Sequence, residues 1–130
     1  DIVLYLRASK FIGVGSGNIE YYLEKYPIFR ANTIAYAHAW WAEILGNFGI
    51  LIFIGYLVFW VNLMYHNIVG MLSRERIATM NLLVIVTFSV AVFGPSSILL
   101  MKWLPVVTGL LVASTRIVSK KYKNKLNFKI

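Results

Sequence analysis

The chain has 130 residues, of which 59% are hydrophobic and only 14% are charged, whereas soluble domains average about 45–50% apolar and about 25% charged residues. A soluble domain of this length could not bury so much apolar surface, so the composition predicts lipid as the solvent. The absence of cysteine excludes disulfides, thiol nucleophiles and thiolate metal sites.

The basic residues are unevenly distributed along the chain. The formal net charge is +8, and six of the thirteen lysines and arginines lie within residues 116–130. A basic tail can indicate nucleic-acid binding, but one that directly follows a hydrophobic span is more often a cytoplasmic flank held near anionic lipid. We therefore expect the lipid bilayer as a partner, no nucleic acid, and a basic cytoplasmic tail at 116–130.

Residues 1–40 are predicted to form an extracytoplasmic loop region. The chain starts without a methionine or a signal-like n-region. We therefore expect a C-terminal fragment whose N-terminal transmembrane helices are missing, with residues 1–10 as the end of a preceding helix. GVGSGN at 13–18 indicates a loop, and IEYYLEKY at 19–26 indicates a short amphipathic helix that Pro27 ends.

The first transmembrane helix is predicted at about 41–64. Residues 44–73 contain no Asp, Glu, Lys or Arg, and a spanning helix needs only about 20 residues. Aromatic residues near both ends match two interfacial belts: Trp40, Trp41, Trp60 and Tyr65. The spacing of the glycines inside the helix favours close helix packing rather than a break: Gly46, Gly49 and Gly55.

Two further spans are predicted at about 77–93 and 98–115. Residues 65–76 are predicted to form a short loop in which His66 is solvated. The apolar run that follows is divided by GPSS at 94–97, because proline cannot donate a backbone hydrogen bond. One kinked helix followed by an interfacial segment is the alternative to this helical hairpin.

The positive-inside rule sets the orientation of these spans. Arg74, Arg76 and the C-terminal basic cluster are expected in the cytoplasm, so residues 1–40, including His38, are expected outside, at the bilayer surface. The sequence therefore predicts an all-α fold, a multi-pass transmembrane helical bundle of three C-terminal spans preceded by an extracytoplasmic loop region.

The glycine-rich GVGSGN segment is the first candidate binding element. It lacks the glycine, lysine and hydroxyl residue that end a Walker loop, and no βαβ unit surrounds it as a dinucleotide site requires. Glycine allows close approach, so the backbone N–H groups of this loop can face an anion. A flexible turn is the other interpretation.

His38 is a candidate for proton transfer, because an imidazole titrates near neutral pH. Arg30, eight residues earlier, suits phosphate oxygens, and the two together at an outer membrane surface suit a lipid-linked diphosphate. A plain interfacial histidine is the alternative. Glu43 is expected either to face the same cavity or to extend to the interface. Lys102 is either a functional charge within the membrane or a side chain that extends outwards.

Metal and triad chemistry are poorly supported by the sequence. The two histidines lie on opposite faces of the predicted topology, and no carboxylates cluster at ligand spacing. No nucleophile elbow is present for a serine triad. We expect no metal and no cofactor.

Two elements together carry a family resemblance: GVGSGN and, about twenty residues later, AHAWWAEILGNFGI. They resemble the bacterial O-antigen ligase and polymerase family of membrane glycan polymerases, and most of all its teichuronic acid biosynthesis branch. The family signature is a histidine, then an amide or serine residue, nine residues, a glycine, two residues, and a small residue or tyrosine. His38 and Gly49 match at the right spacing, whereas Ala39 and Ile52 depart from it.

The resemblance implies the all-helical, multi-spanning fold of polyprenyl-phosphate-sugar glycosyltransferases in the bacterial plasma membrane. The implied reaction transfers a glycan from undecaprenyl diphosphate to the hydroxyl of an acceptor glycan outside the membrane, with inversion and without a metal. His38 would activate the acceptor hydroxyl, and arginines would neutralise the departing diphosphate. The residues implied for substrate binding are Arg30, Arg7, Asn18 and Glu43. Because Ala39 cannot orient the imidazole, that role would pass to another polar residue, Asn32, Tyr36 or Glu43.

Two other classes of protein fit parts of the sequence. In a transporter or channel fragment, His38 and Lys102 would line a polar path across the membrane. In a small non-catalytic membrane partner, the helices would pack through Gly46, Gly49 and Gly55.

Overall fold

The computed structural model of the chain describes residues 2–26, 40–91 and 103–127. Within these ranges the chain forms helices and no strand, which confirms the all-α prediction. The helices are α1 (Ile2–Ala8), α2 (Asn18–Lys25), α3 (Trp40–Leu72), α4 (Arg76–Ala91) and α5 (Leu104–Asn127).

The chain divides into two compact units. In the described ranges, unit 1 contains α1, α2 and residues 40–57 of α3. Unit 2 contains residues 58–72 of α3 together with α4 and α5.

Helix α3 is the element that the uncharged run predicts, and it extends beyond the expected 41–64. Over the described ranges it is the one helix long and apolar enough to cross a membrane, with a mean hydropathy of 2.2 over its most apolar window. Gly49 interrupts it, with φ 79° and ψ −178°. The roughly 23 residues beyond Gly49 rise by about 35 Å, slightly more than the thickness of a bilayer core, about 30 Å.

The prediction for the three glycines of α3 is wrong at Gly49, where the helix breaks. It is right at Gly46, where an added Cβ would lie 3.0 Å from the side chain of Ile19. Gly55 makes no close contact within the described residues, since none of their atoms outside its own helical turns lies within 4 Å of its Cβ position.

The segment predicted as a loop at 65–76 is largely helical, because α3 continues to Leu72. A Schellman motif ends the helix: the Glu75 N–H donates to the Gly70 carbonyl at 3.0 Å and the Arg74 N–H donates to the Met71 carbonyl at 2.9 Å. Arg74 takes the left-handed conformation that glycine usually supplies, with φ 61°. Because the cap uses an arginine, the usual glycine signal for the end of a helix is absent from the sequence.

The three helices of unit 2 pack through residues that fix their directions. Leu63, Ile85 and Leu111 form one apolar cluster, and one level along α3 Gly70 lies against Ala78 and Val118. From the apolar cluster to the contact at Gly70, the residue numbers rise on α3 (63 to 70) and on α5 (111 to 118) but fall on α4 (85 to 78). Helix α4 is therefore antiparallel to this part of α3, and α5 is parallel to it.

A buried hydrogen-bond network joins the same three helices. The Asn67 Nδ2 donates to the Thr115 hydroxyl at 2.8 Å, and the Asn81 Nδ2 donates to the Asn67 Oδ1 at 2.8 Å. The Ser114 hydroxyl donates to the Asn81 Oδ1 at 2.9 Å. Because the side-chain amides of Asn67 and Asn81 are both hydrogen-bonded, their burial costs little free energy, and the bonds define the register of the three helices.

The structure of unit 2 differs from two of the predictions for the C-terminal half of the chain. His66 does not lie in a solvated turn: it lies on α3, half-buried, with its Nδ1 2.7 Å from the Tyr122 hydroxyl. The region predicted as a span at 98–115 and a tail at 116–130 contains one helix, α5, which continues through most of the basic cluster to Asn127. The GPSS segment at 94–97 lies outside the described residues.

Candidate active site

In unit 1 the glycine-rich loop packs against α3 at the point where Gly49 breaks the helix. The Val14 N–H donates to the Gly46 carbonyl at 2.9 Å, and the Gly15 N–H donates to the Asn47 carbonyl at 2.9 Å. In the opposite direction, the Ile50 N–H donates to the Phe11 carbonyl at 3.0 Å. An unbroken helix would pair Ile50 with Gly46, so the loop supplies both partners that the break removes.

Gly13 and Gly49 make this approach possible. Both have positive φ, at 91° and 79°, and Gly49 lies in a region of backbone conformation that is essentially restricted to glycine. A Cβ on Gly13 would lie 2.5 Å from the Asn47 carbonyl oxygen, and one on Gly49 would overlap the backbone of Ile12. The glycine-rich element and the glycine that follows His38 in the family signature are therefore two sides of one contact.

Asn47 connects the break to α2. Its side-chain Oδ1 accepts a hydrogen bond from the Ile19 N–H at 3.1 Å, which satisfies one of the N-terminal donors that a helix leaves unpaired. Ile19 is fully buried and its side chain lies against Gly46. The start of α2 is thus attached to α3 by both a hydrogen bond and an apolar contact.

The far end of α2 is attached to α1. The Tyr5 hydroxyl donates to the Tyr22 carbonyl at 3.1 Å and also contacts the Tyr26 carbonyl. The rings of Tyr5 and Tyr22 lie 5.7 Å apart between centroids. Helix α2 is therefore held at both ends.

Glu43 and Asn47 are the buried polar side chains of this part of α3. Glu43 is 1% exposed and Asn47 is 2% exposed, and a spacing of four residues places them on one face of the helix. The Asn47 Oδ1 accepts from the Ile19 N–H, but its Nδ2 has no hydrogen-bond partner among the described residues. A buried donor without a partner costs about 1–3 kcal/mol, so this amide is suited to a ligand that brings its own acceptor.

The chain is similar in sequence to a bacterial protein of teichuronic acid biosynthesis. It is 36% identical over 92 residues to the teichuronic acid biosynthesis protein TuaE of Bacillus subtilis (strain 168). The aligned part covers 66% of this chain and 19% of that protein, so the chain matches about a fifth of its relative. No family model and no solved structure matches the chain. This similarity supports the teichuronic acid part of the resemblance drawn from the sequence.

The residues predicted to carry the chemistry are divided between described and undescribed parts of the chain. His38 and Arg30, with Asn32, Tyr36 and Ala39, lie outside the described residues, and so does Lys102. In the sequence, His38 stands two positions before the start of α3. The contact with the glycine-rich loop holds α3 at Gly46, Asn47 and Ile50, two to three turns after that start.

Three of the predicted substrate-binding residues are described. Asn18 is exposed, and its Nδ2 donates to the Val14 carbonyl at 2.9 Å, which closes the glycine-rich loop. Arg7 is exposed in the last turn of α1. Glu43 is buried rather than extended to the surface of unit 1. The loop of Asn18 and the helix segment of Glu43 are brought together by the main-chain bonds at Gly46 and Asn47.

Asn47 is the residue of this region that the sequence analysis missed. A signal for it exists: it is the first amide in the uncharged run that starts after Glu43, and it stands two positions before the signature glycine. Polar side chains at such positions are functional candidates by default. Among the described residues, no three His, Asp or Glu side chains are grouped so that they could hold a metal ion.

Proposed function

We propose that this chain is part of a membrane glycosyltransferase that polymerises or ligates glycans carried on undecaprenyl diphosphate, for a cell-surface polysaccharide. Its similarity to a teichuronic acid biosynthesis protein supports the class of pathway. The long apolar α3 supports placement in a membrane.

One observation carries the proposal for the site: the contact between the glycine-rich loop and the break at Gly49. The three main-chain hydrogen bonds of this contact tie two segments that are more than thirty residues apart in the sequence. Transfer between two bound substrates requires groups held in fixed positions. The contact fixes the segment of α3 that directly follows His38, together with buried Glu43 and Asn47.

In the proposed reaction the oxygen of an acceptor hydroxyl attacks the anomeric carbon of the donor glycan. The bond from that carbon to the diphosphate oxygen breaks, and undecaprenyl diphosphate leaves with the bonding electrons, which inverts the anomeric configuration. His38 takes the proton of the acceptor hydroxyl. Arg30, with Arg7 as a second candidate, stabilises the negative charge that grows on the diphosphate.

Glu43, Asn18 and Asn47 are proposed to bind the glycans. The unpartnered Nδ2 of Asn47 can donate to a sugar or phosphate oxygen. Since a buried amide discriminates strongly against ligands that leave it unpaired, Asn47 would contribute to the choice of substrate rather than to proton transfer.

The proposal is tested in cells by replacing His38 in the full-length protein and measuring the length of the surface polysaccharide. His38→Ala is expected to abolish long chains while the protein is made at the wild-type level. Polymer of normal length from that variant would reject the proposal. Solute flux without any effect on polysaccharide would favour the transporter class instead.

A further inference from the structure

We propose that unit 2 contains a binding groove for the phosphate headgroup and upper acyl chain of an anionic phospholipid, between α3 and α5. The groove has a volume of about 250 Å³. The described side chains that line it belong to these two helices: Phe59, Asn62, Leu63, His66, Val112, Thr115, Arg116 and Ser119. The inference needs these helices to lie in a bilayer but does not need glycan transfer.

The groove changes from apolar to polar along its length, as a phospholipid does. Because α3 and α5 run parallel here, low residue numbers on both helices mark one end, and that end holds Phe59 and Val112. His66, Arg116 and Ser119 mark the other end. The seven residues from Phe59 to His66 rise by about 10 Å, enough for a headgroup and the first carbons of a chain.

The polar end is positively charged. Arg116 is exposed and forms no ion pair with a described carboxylate, and Lys120 lies four residues further along the same helix face. The carboxylate of Glu75, in the turn before α4, is paired with Lys121 at 3.6 Å. An arginine guanidinium binds phosphate oxygens through paired donors, so the charge at this end selects an anionic headgroup.

His66 adds a fixed donor or acceptor at the same end. Its Nδ1 lies 2.7 Å from the Tyr122 hydroxyl, and the two rings stack with their centroids 6.2 Å apart. These contacts hold the imidazole plane, so its second nitrogen has a defined direction. The residues beside the groove on both helices are exposed and apolar, Val61 and Leu110 being about two-thirds exposed, as a lipid-facing surface requires.

The test uses the full-length protein, delipidated in detergent and supplied with phosphatidylglycerol or phosphatidylcholine, and counts retained lipid by native mass spectrometry. Arg116→Gln is expected to weaken phosphatidylglycerol retention by about fivefold to tenfold, the loss of one charge-assisted contact. Arg76→Gln is the matched control, since Arg76 is exposed at the start of α4 and does not line the groove. It is expected to change retention by less than about twofold.

A second variant tests the apolar end without touching the charge. Val112→Trp should fill the groove and lower phosphatidylglycerol retention while the melting temperature stays near that of the wild type. Equal losses in Arg116→Gln and Arg76→Gln would overturn the inference in favour of general surface attraction. Retention of phosphatidylcholine equal to that of phosphatidylglycerol would also overturn the inference. So would full displacement of the lipid by inorganic phosphate combined with unchanged retention in Val112→Trp. Arg116-dependent retention by a protein without glycan transfer would leave the inference standing and reject only the proposed function.

Discussion

Replacement of Gly49 by alanine should dissociate the glycine-rich loop from α3. The backbone conformation of Gly49, with φ 79° and ψ −178°, is one that costs a residue with a side chain about 1–3 kcal/mol. The new Cβ would also overlap the backbone of Phe11 and Ile12, so the loop must move away. Loss of the three main-chain hydrogen bonds at about 0.5–1.5 kcal/mol each brings the expected destabilisation of the contact to about 2.5–7.5 kcal/mol.

The assay is hydrogen exchange of the full-length protein in detergent, read at the amides of Val14, Gly15 and Ile50. In the wild type these amides are the donors of the contact, and their protection should fall by at least about fiftyfold in Gly49→Ala, since 1.4 kcal/mol is about tenfold. Gly55→Ala is the matched control, because Gly55 lies on the same helix and its Cβ position has no neighbour within 4 Å among the described residues. It should leave the exchange of these amides unchanged.

The reasoning would be refuted if Gly49→Ala kept wild-type protection at all three amides. It would also be refuted if Gly55→Ala lost as much protection as Gly49→Ala, because the effect would then come from a general weakening of α3. Under the proposed function, glycan transfer should fall together with amide protection in Gly49→Ala, whereas Gly55→Ala should retain both.

Two further variants test the packing of unit 2. Gly70→Ala would place its Cβ against the side chain of Val118 and should lower stability by about 1–3 kcal/mol through overpacking. Gly109→Ala is its control and should have little effect, since its Cβ would meet no atom of the described residues within 4 Å. Equal melting temperatures of the two variants in detergent would contradict this account of the helix crossing. Asn67→Leu removes the centre of the buried network and its two interhelical hydrogen bonds. It should lower stability by up to about 1.7 kcal/mol for each bond, the upper value for hydrogen bonds between membrane helices. An unchanged or higher melting temperature would show that the network does not stabilise unit 2.

The sequence predicts α3 and α4 well because their signals are local, but it divides α5 between a span and a tail. Thirty residues without charge lead directly to α3, and the apolar run that follows Arg76 leads to α4. The ends of elements are harder to predict. The cap of α3 uses Arg74 in a conformation that glycine normally takes, so the turn leaves little trace in the sequence and the helix extends further than expected.

Within the candidate site, the sequence identifies residues but does not show how they pair. The spacing from His38 to Gly49 is visible in the sequence, and so is the glycine-rich loop. The role of Gly49 depends on contacts with another part of the chain, where Phe11 and Val14 hydrogen-bond to α3 on either side of this glycine. His66 is misplaced for the same reason, since its partner Tyr122 lies more than fifty positions away. Contacts of that kind have no periodicity from which to predict them.

The most direct test of the proposed function measures glycan transfer by the purified full-length protein in vesicles that contain an undecaprenyl-diphosphate-linked oligosaccharide. The wild type is expected to elongate the glycan and to release undecaprenyl diphosphate, and His38→Ala is expected to slow both by about 10²–10⁴-fold, the contribution of a general base. Elongation at the wild-type rate by folded His38→Ala, or no elongation by the wild type, would contradict the account.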